Sequence, residues 1–145
     1  MSYDASTIPR IAAVLGYGGV VPVLAAAANS MLGAPLPSEF ALRIFVAYGA
    51  VILSFLGGIR WGTGLHPDAP LGRELTLSVI PSLWAGACLL LPSAELAVWG
   101  LLTGFLIMGL IDRYHPPLLM PLWMRRLRVH LTVAVSLCHA AVLLA

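Results

Sequence analysis

The sequence predicts an all-α fold: an integral membrane bundle of five transmembrane helices, N-terminus inside and C-terminus outside. Three observations predict it. Hydrophobic residues make up 60% of the 145-residue chain and charged residues only 10%, against roughly 25% charged in a soluble domain. Mean hydropathy is +0.96. A soluble protein of this size has a large surface to cover with polar groups, whereas lipid accepts an apolar exterior. Finally, the apolar residues fall into five stretches, each near the roughly 20 residues a helix needs to cross the hydrocarbon core.

The stretches are residues 8–32, 40–65, 75–91, 94–111 and 127–145, and they form one transmembrane helical domain over residues 1–145. Turn residues separate them. Gly33, Pro35 and Pro37 break the chain before Ser38, and His66, Pro67 and Pro70 break it again. Pro92-Ser93 is a very short link, so the third and fourth helices form an antiparallel hairpin. The break from Asp112 to Arg126 is the longest. Its segment 115–126 is too short and proline-rich to span, and it reads as apolar, then aromatic at Trp123, then basic. That order suits a piece lying in the interface, with Trp123, Arg125, Arg126 and Arg128 at the level of lipid phosphates. A signal-peptide reading of the first helix competes, because Ala25 to Ser30 is rich in small residues; it leaves four helices.

Orientation follows from arginine, which supplies all eight basic residues. With the N-terminus inside, Arg10, Arg60, Arg73, Arg113, Arg125, Arg126 and Arg128 are internal and only Arg43 is external, which satisfies the positive-inside rule. A net charge of +2 argues against a nucleic-acid surface. Cys88 and Cys138 lie in apolar runs and read as packing residues.

Helices in lipid associate through close packing and interhelical hydrogen bonds. Small residues recur at helical spacing: Ala12, Gly16 and Gly19; Ala47, Ala50, Ser54, Gly58 and Gly62; Ser78, Ser82 and Gly86; Gly100 and Gly104. Two pairs, Gly58/Gly62 and Gly100/Gly104, fit either bundle packing or a homodimer face. Pro22 and Pro81 lie inside helices, and a kink or a hinge follows from each. Ser78 and Ser82 flank Pro81, where they can satisfy the carbonyl it frees.

Polar groups at membrane depth are the strongest pointers to function. Arg128, Thr132, Ser136 and His139 follow one another at steps of four, four and three, so they share one face of the fifth helix. That face turns to the bundle or to a cleft, as packing or as a lined pathway. Arg60 and Asp112 fall at similar depth and suit an ion pair across the bundle, or else Arg60 reaches the headgroups beside Trp61. Haem ligation lacks support, since His130 and His139 stand on one helix ~13 Å apart. No HExxH, P-loop or Ser/His/Asp arrangement occurs. The expectation is therefore no cofactor and no catalytic residues.

Four motifs occur together: YGAVILSFLGGIRWG beginning at Tyr48, SVIPSL beginning at Ser78, Asp112-Arg113, and WMRRLR beginning at Trp123. In these the chain resembles the transmembrane protein 69 family of bacterial and mitochondrial membrane proteins, over nearly its whole length from about Ile8. The family is one of unknown function, so the resemblance implies architecture and location, a bacterial inner membrane, and not an activity. It adds weight to Arg60, Trp61, Pro81, Ser82 and Asp112. Two functional classes follow. One is a non-enzymatic accessory or assembly protein of a membrane complex, with a membrane-protein partner. The other is a small transporter or lipid-handling protein acting as a homodimer. Membrane lipids are partners in both.

Overall fold

An apolar run in lipid must close its backbone hydrogen bonds within itself, which a helix does. The computed structural model describes residues 7–32, 38–66, 70–117 and 120–144. It contains α1 (Thr7–Leu32), α2 (Ser38–Gly64), α3 (Leu71–Leu89), α4 (Ala94–Tyr114) and α5 (Leu122–Leu144), with no strand among the described residues. The turns expected over 33–37 and 67–69, and positions 118–119 of the proline-rich segment, lie outside the described residues.

Four helices, α1, α2, α4 and α5, are long and apolar enough to cross a membrane. The remaining one, α3, has 19 residues, a length of ~28 Å, and carries Arg73 and Glu74 in its first turn, ahead of the apolar run expected from residue 75. The exterior is the reverse of a soluble protein's. Val14 and Leu83 are 72% and 69% exposed, while Arg60 and His139 are fully buried. Such a surface suits a hydrocarbon solvent, and a buried guanidinium demands partners inside the protein.

The helix order places α2 against α1, α3 and α4, and α5 against α1 and α4. The tightest seam joins α2 to α3. A Cβ on Gly57 would overlap the Ser78 carbonyl oxygen, and one on Gly64 would stand 2.8 Å from Glu74 Cβ. These glycines and Arg60 fall at i, i+3 and i+7, one face of the helix. Small-residue packing on α2 therefore uses Gly57 and Gly64, not the expected Gly58 and Gly62. No atom of a neighbouring element lies within 4 Å of a Cβ at either Gly58 or Gly62, and both look outward. The reason is Arg60: once its charge must be buried, the face bearing it turns inward and the face bearing Gly58 turns out.

The same selection acts on α3. Its buried residues are Glu74, Ser78, Pro81, Ala85 and Cys88, so Ser82 and Gly86 of the expected stripe are exposed. Ser78 Oγ donates to the Leu75 carbonyl at 2.6 Å and not to the Leu77 carbonyl, whose intrahelical donor Pro81 lacks. Pro81 is buried against Gly57, whereas Pro22 of α1 is exposed.

The short link between α3 and α4 ends at Ser93, whose side chain accepts the Leu96 N–H at 3.1 Å and caps α4. Trp84 Nε1 donates to the Gly100 carbonyl at 2.8 Å. A Cβ on Gly100 would stand 2.6 Å from Cys88 Sγ, and one on Gly104 2.7 Å from Leu53. This pair of glycines packs within the subunit. On the other side of the bundle, Gly16 of α1 admits Leu131 of α5, 3.0 Å from where its Cβ would be.

The fifth helix starts earlier than its apolar run suggests. Pro121 sits just before it, and its carbonyl accepts the N–H groups of Met124 and Arg125 at 3.0 and 3.1 Å. Proline loses nothing at a helix start, because the first N–H groups have no intrahelical partner. Leu122, Trp123, Met124 and Arg125 thus form the first turn of α5, continuous with Arg126 and the rest of the helix.

The seam yields a paired test. Gly57→Ala is expected to lower stability by about 1–3 kcal/mol through overpacking, while Gly58→Ala is neutral or stabilising by up to about 1 kcal/mol. Thermal unfolding of both variants in mild detergent checks this, and equal melting temperatures would contradict it.

Candidate functional site

One charged side chain from each of four helices meets at the end of the bundle where α2 ends and α5 begins. Arg60 of α2 donates through Nη1 to Glu74 Oε2 of α3 at 2.8 Å. Its Nε and Nη2 donate to Asp112 Oδ1 of α4 at 3.2 and 3.0 Å, and Nη2 also reaches the His115 carbonyl at 2.6 Å. Arg128 of α5 donates through Nε and Nη2 to Asp112 Oδ2 at 2.9 and 2.6 Å. Its Nη1 and Nη2 both lie 3.3 Å from the Leu56 carbonyl. Each oxygen of Asp112 therefore belongs to a different arginine.

All four side chains are nearly or wholly buried. Two cations and two anions cancel, and the planar guanidinium forks match the carboxylates they face. Desolvating four charges is costly, and the closed set of charge-assisted hydrogen bonds offsets that cost.

The expected pair of Arg60 and Asp112 is present, and two more residues belong to it. Arg128, read both at the lipid interface and on the inward stripe of α5, is buried between Asp112 and Leu56 and not at the interface. Glu74 was not anticipated. Two signals for it existed: Arg60 and Arg128 at depth call for a second anion beside Asp112, and Glu74 stands in step with Ser78, Pro81, Ala85 and Cys88.

Beyond the network, the polar stripe of α5 continues inward-facing. Thr132, Ser136 and His139 are all buried. His139 Nδ1 lies 2.8 Å from the Val135 carbonyl. A carbonyl only accepts, so Nδ1 carries the proton and Nε2 is bare in the neutral ring. That Nε2 and Ser136 Oγ are buried without a hydrogen-bond partner. Phe45 and Phe105 pack on the ring at centroid distances of 4.4 and 5.1 Å, and a Cβ on Gly49 would stand 3.0 Å from Nε2. The remaining expected residues do not join this arrangement. Trp61 and Ser82 face outward, and Trp123, Arg125 and Arg126 are partly or largely exposed.

Two cavities flank α5. An apolar one of about 490 Å³ lies among α1, α2 and α5, walled by residues such as Gly16, Gly19, Tyr48 and Leu131, with Arg128 and Thr132 also in its lining. A smaller one of about 280 Å³ lies among the end of α4, the proline-rich segment and the start of α5, and it also reaches Arg128. Among the described residues no three His, Cys, Asp or Glu side chains converge as a metal site.

An apolar exterior over helices of spanning length, with the deep charges paired inside, defines a multi-pass membrane protein. The profile of the family described as "Protein of unknown function (DUF3429)" matches residues 8–144, and the chain belongs to that family. It is 35% identical to transmembrane protein 69 of Xenopus tropicalis, in a match covering 92% of this chain and 54% of that protein. The chain thus spans about half the length of this curated relative. No solved structure matches.

Removing one member of the network leaves an uncompensated buried charge. Asp112→Asn is expected to cost about 3–5 kcal/mol. Arg128→Gln in the same chain restores neutrality, so the double variant should lose less than the two single losses combined, by about 0.5–3 kcal/mol. A double-mutant cycle by chemical denaturation in detergent measures this coupling. Strict additivity would show that the network is not a unit.

Proposed function

We propose that this protein is a non-enzymatic accessory or assembly component of a larger membrane complex, in a bacterial inner membrane. It crosses five times, with the N-terminus and most arginines inside and the C-terminus outside. The observation that carries this reading is the fate of the deep charges. Arg60, Glu74, Asp112 and Arg128 are consumed in holding four helices together, which leaves none of them bare for acid–base work or for moving with a substrate. Meanwhile the outward face of α2 presents Gly58 and Gly62 with no neighbour, a surface on which a helix of another membrane protein can approach closely.

The test uses that face. Tagged protein is purified in mild detergent after crosslinking, and bound proteins are identified by mass spectrometry. A stoichiometric partner is expected with the natural sequence. Gly58→Leu/Gly62→Leu should lose it at an unchanged melting temperature, because both positions open outward. Recovery of a lone monomer under all conditions would sink the accessory reading, and recovery of a homodimer would move the interface to a second copy.

A second reading, lipid handling or transport, is favoured by the apolar cavity among α1, α2 and α5. Its walls are hydrocarbon-like, with Thr132 and Arg128 among them, as an acyl chain with a polar end requires. Gly19→Leu introduces a side chain where only Tyr48 Oη lies as near as 4.0 Å, so it should fill the cavity. Lipid co-purifying with this variant is expected to fall several-fold; an unchanged lipid content would remove this reading.

A further inference from the structure

We propose that the cavity at the arginine-rich end of α5 is a binding site for the phosphate of an anionic phospholipid. The cavity is lined by Arg113, Arg125, Arg126 and Arg128, against a single carboxylate, Asp112. That carboxylate is already committed, with one oxygen held by Arg60 and the other by Arg128. Among the described residues, Arg113, Arg125 and Arg126 make no ion pair. Three guanidiniums around one recess repel one another until an anion sits between them, and phosphate oxygens match their fork geometry.

The rest of the lining selects the source of that phosphate. Pro117 and Met120 are buried and apolar there, which suits the glycerol and first acyl carbons of a lipid and offers nothing to a hydrated free ion. The volume, about 280 Å³, is just under the roughly 300 Å³ at which whole-ligand pockets begin. It admits a headgroup and leaves the tails in the bilayer. The position agrees, since the first turn of a spanning helix lies at headgroup level. Arg128 also ties the site to the charge network, so an occupied cavity screens the end of the bundle that holds four helices together. The inference stands apart from the partner-docking reading, because it concerns α4 and α5 rather than the outward face of α2.

The experiment titrates detergent-solubilised protein with phosphatidylglycerol or phosphatidylcholine of matched acyl chains, read by native mass spectrometry. The anionic lipid is expected to bind preferentially. Arg125→Gln/Arg126→Gln should weaken it roughly 25-fold, at about fivefold for each arginine near an anionic surface. Arg43→Gln, at the opposite end, should leave affinity unchanged. Arg125→Lys/Arg126→Lys keeps the charge and should restore most of the binding, which separates charge loss from misfolding. Equal binding of the two lipids, or full binding by the glutamine variant, would overturn the proposal. Displacement of phosphatidylglycerol by millimolar inorganic phosphate would overturn the lipid assignment in favour of a free-anion site.

Discussion

Asp112 is the group on which the architecture turns. A carboxylate taken out of water is tolerable only when its lone pairs are met by donors that stay in place. Here two guanidiniums arrive from opposite sides, one from α2 and one from α5. Meeting that demand fixes which face of each helix points inward. The rotation of α2 follows from Arg60, that of α3 from Glu74, and that of α5 from Arg128. Glycines at 57 and 64 then stand where α3 must come close, and their missing Cβ atoms let it.

The bundle is held differently at its two ends. Near the network, directional charge-assisted hydrogen bonds set the geometry. Farther along, contact is between apolar and small groups: Val98, Leu101 and Phe105 of α4, Phe45 and Leu53 of α2, and the His139 ring between two phenylalanines. Lipid provides no hydrophobic drive to bring helices together, so dispersion in this packing and the interhelical bond from Trp84 to Gly100 do what exclusion of water does in a soluble core. Ser136 Oγ and His139 Nε2 are buried in that region without a hydrogen-bond partner.

Much of this arrangement was legible in the sequence. Run length and hydropathy give the helices, and arginine and aspartate at matched depth give the Arg60–Asp112 contact. The steps of four, four and three from Arg128 to His139 give a buried face on α5. What was not legible came from competition between overlapping patterns. On α2, Gly58/Gly62 is the more familiar small-residue motif, yet Gly57 and Gly64 do the packing because they share a face with Arg60. Glu74 was hidden because it stands just before the apolar run from which the third helix is read. Arg128 carried two readings, an interfacial one beside Arg125 and Arg126 and an inward one in register with Thr132 and Ser136, and the cost of an unpaired charge decides for the second. In each case the deciding quantity was the cost of an unpaired charge, which outweighs local propensity and motif resemblance.

The order of the charges along the chain bears on how the protein is made. Helices enter a membrane from the ribosome in sequence, and a lone arginine or carboxylate at depth resists entry. Arg60 in α2 is followed at once by Glu74 in α3, and Asp112 in α4 by Arg128 in α5. The α2–α3 pair and the α4–α5 pair are thus each electrically balanced in their deep residues. A helix pair whose deep charges cancel costs less to hold in hydrocarbon than either helix would with its charge alone, and the bond from Arg60 to Asp112 ties the α2–α3 pair to the α4–α5 pair.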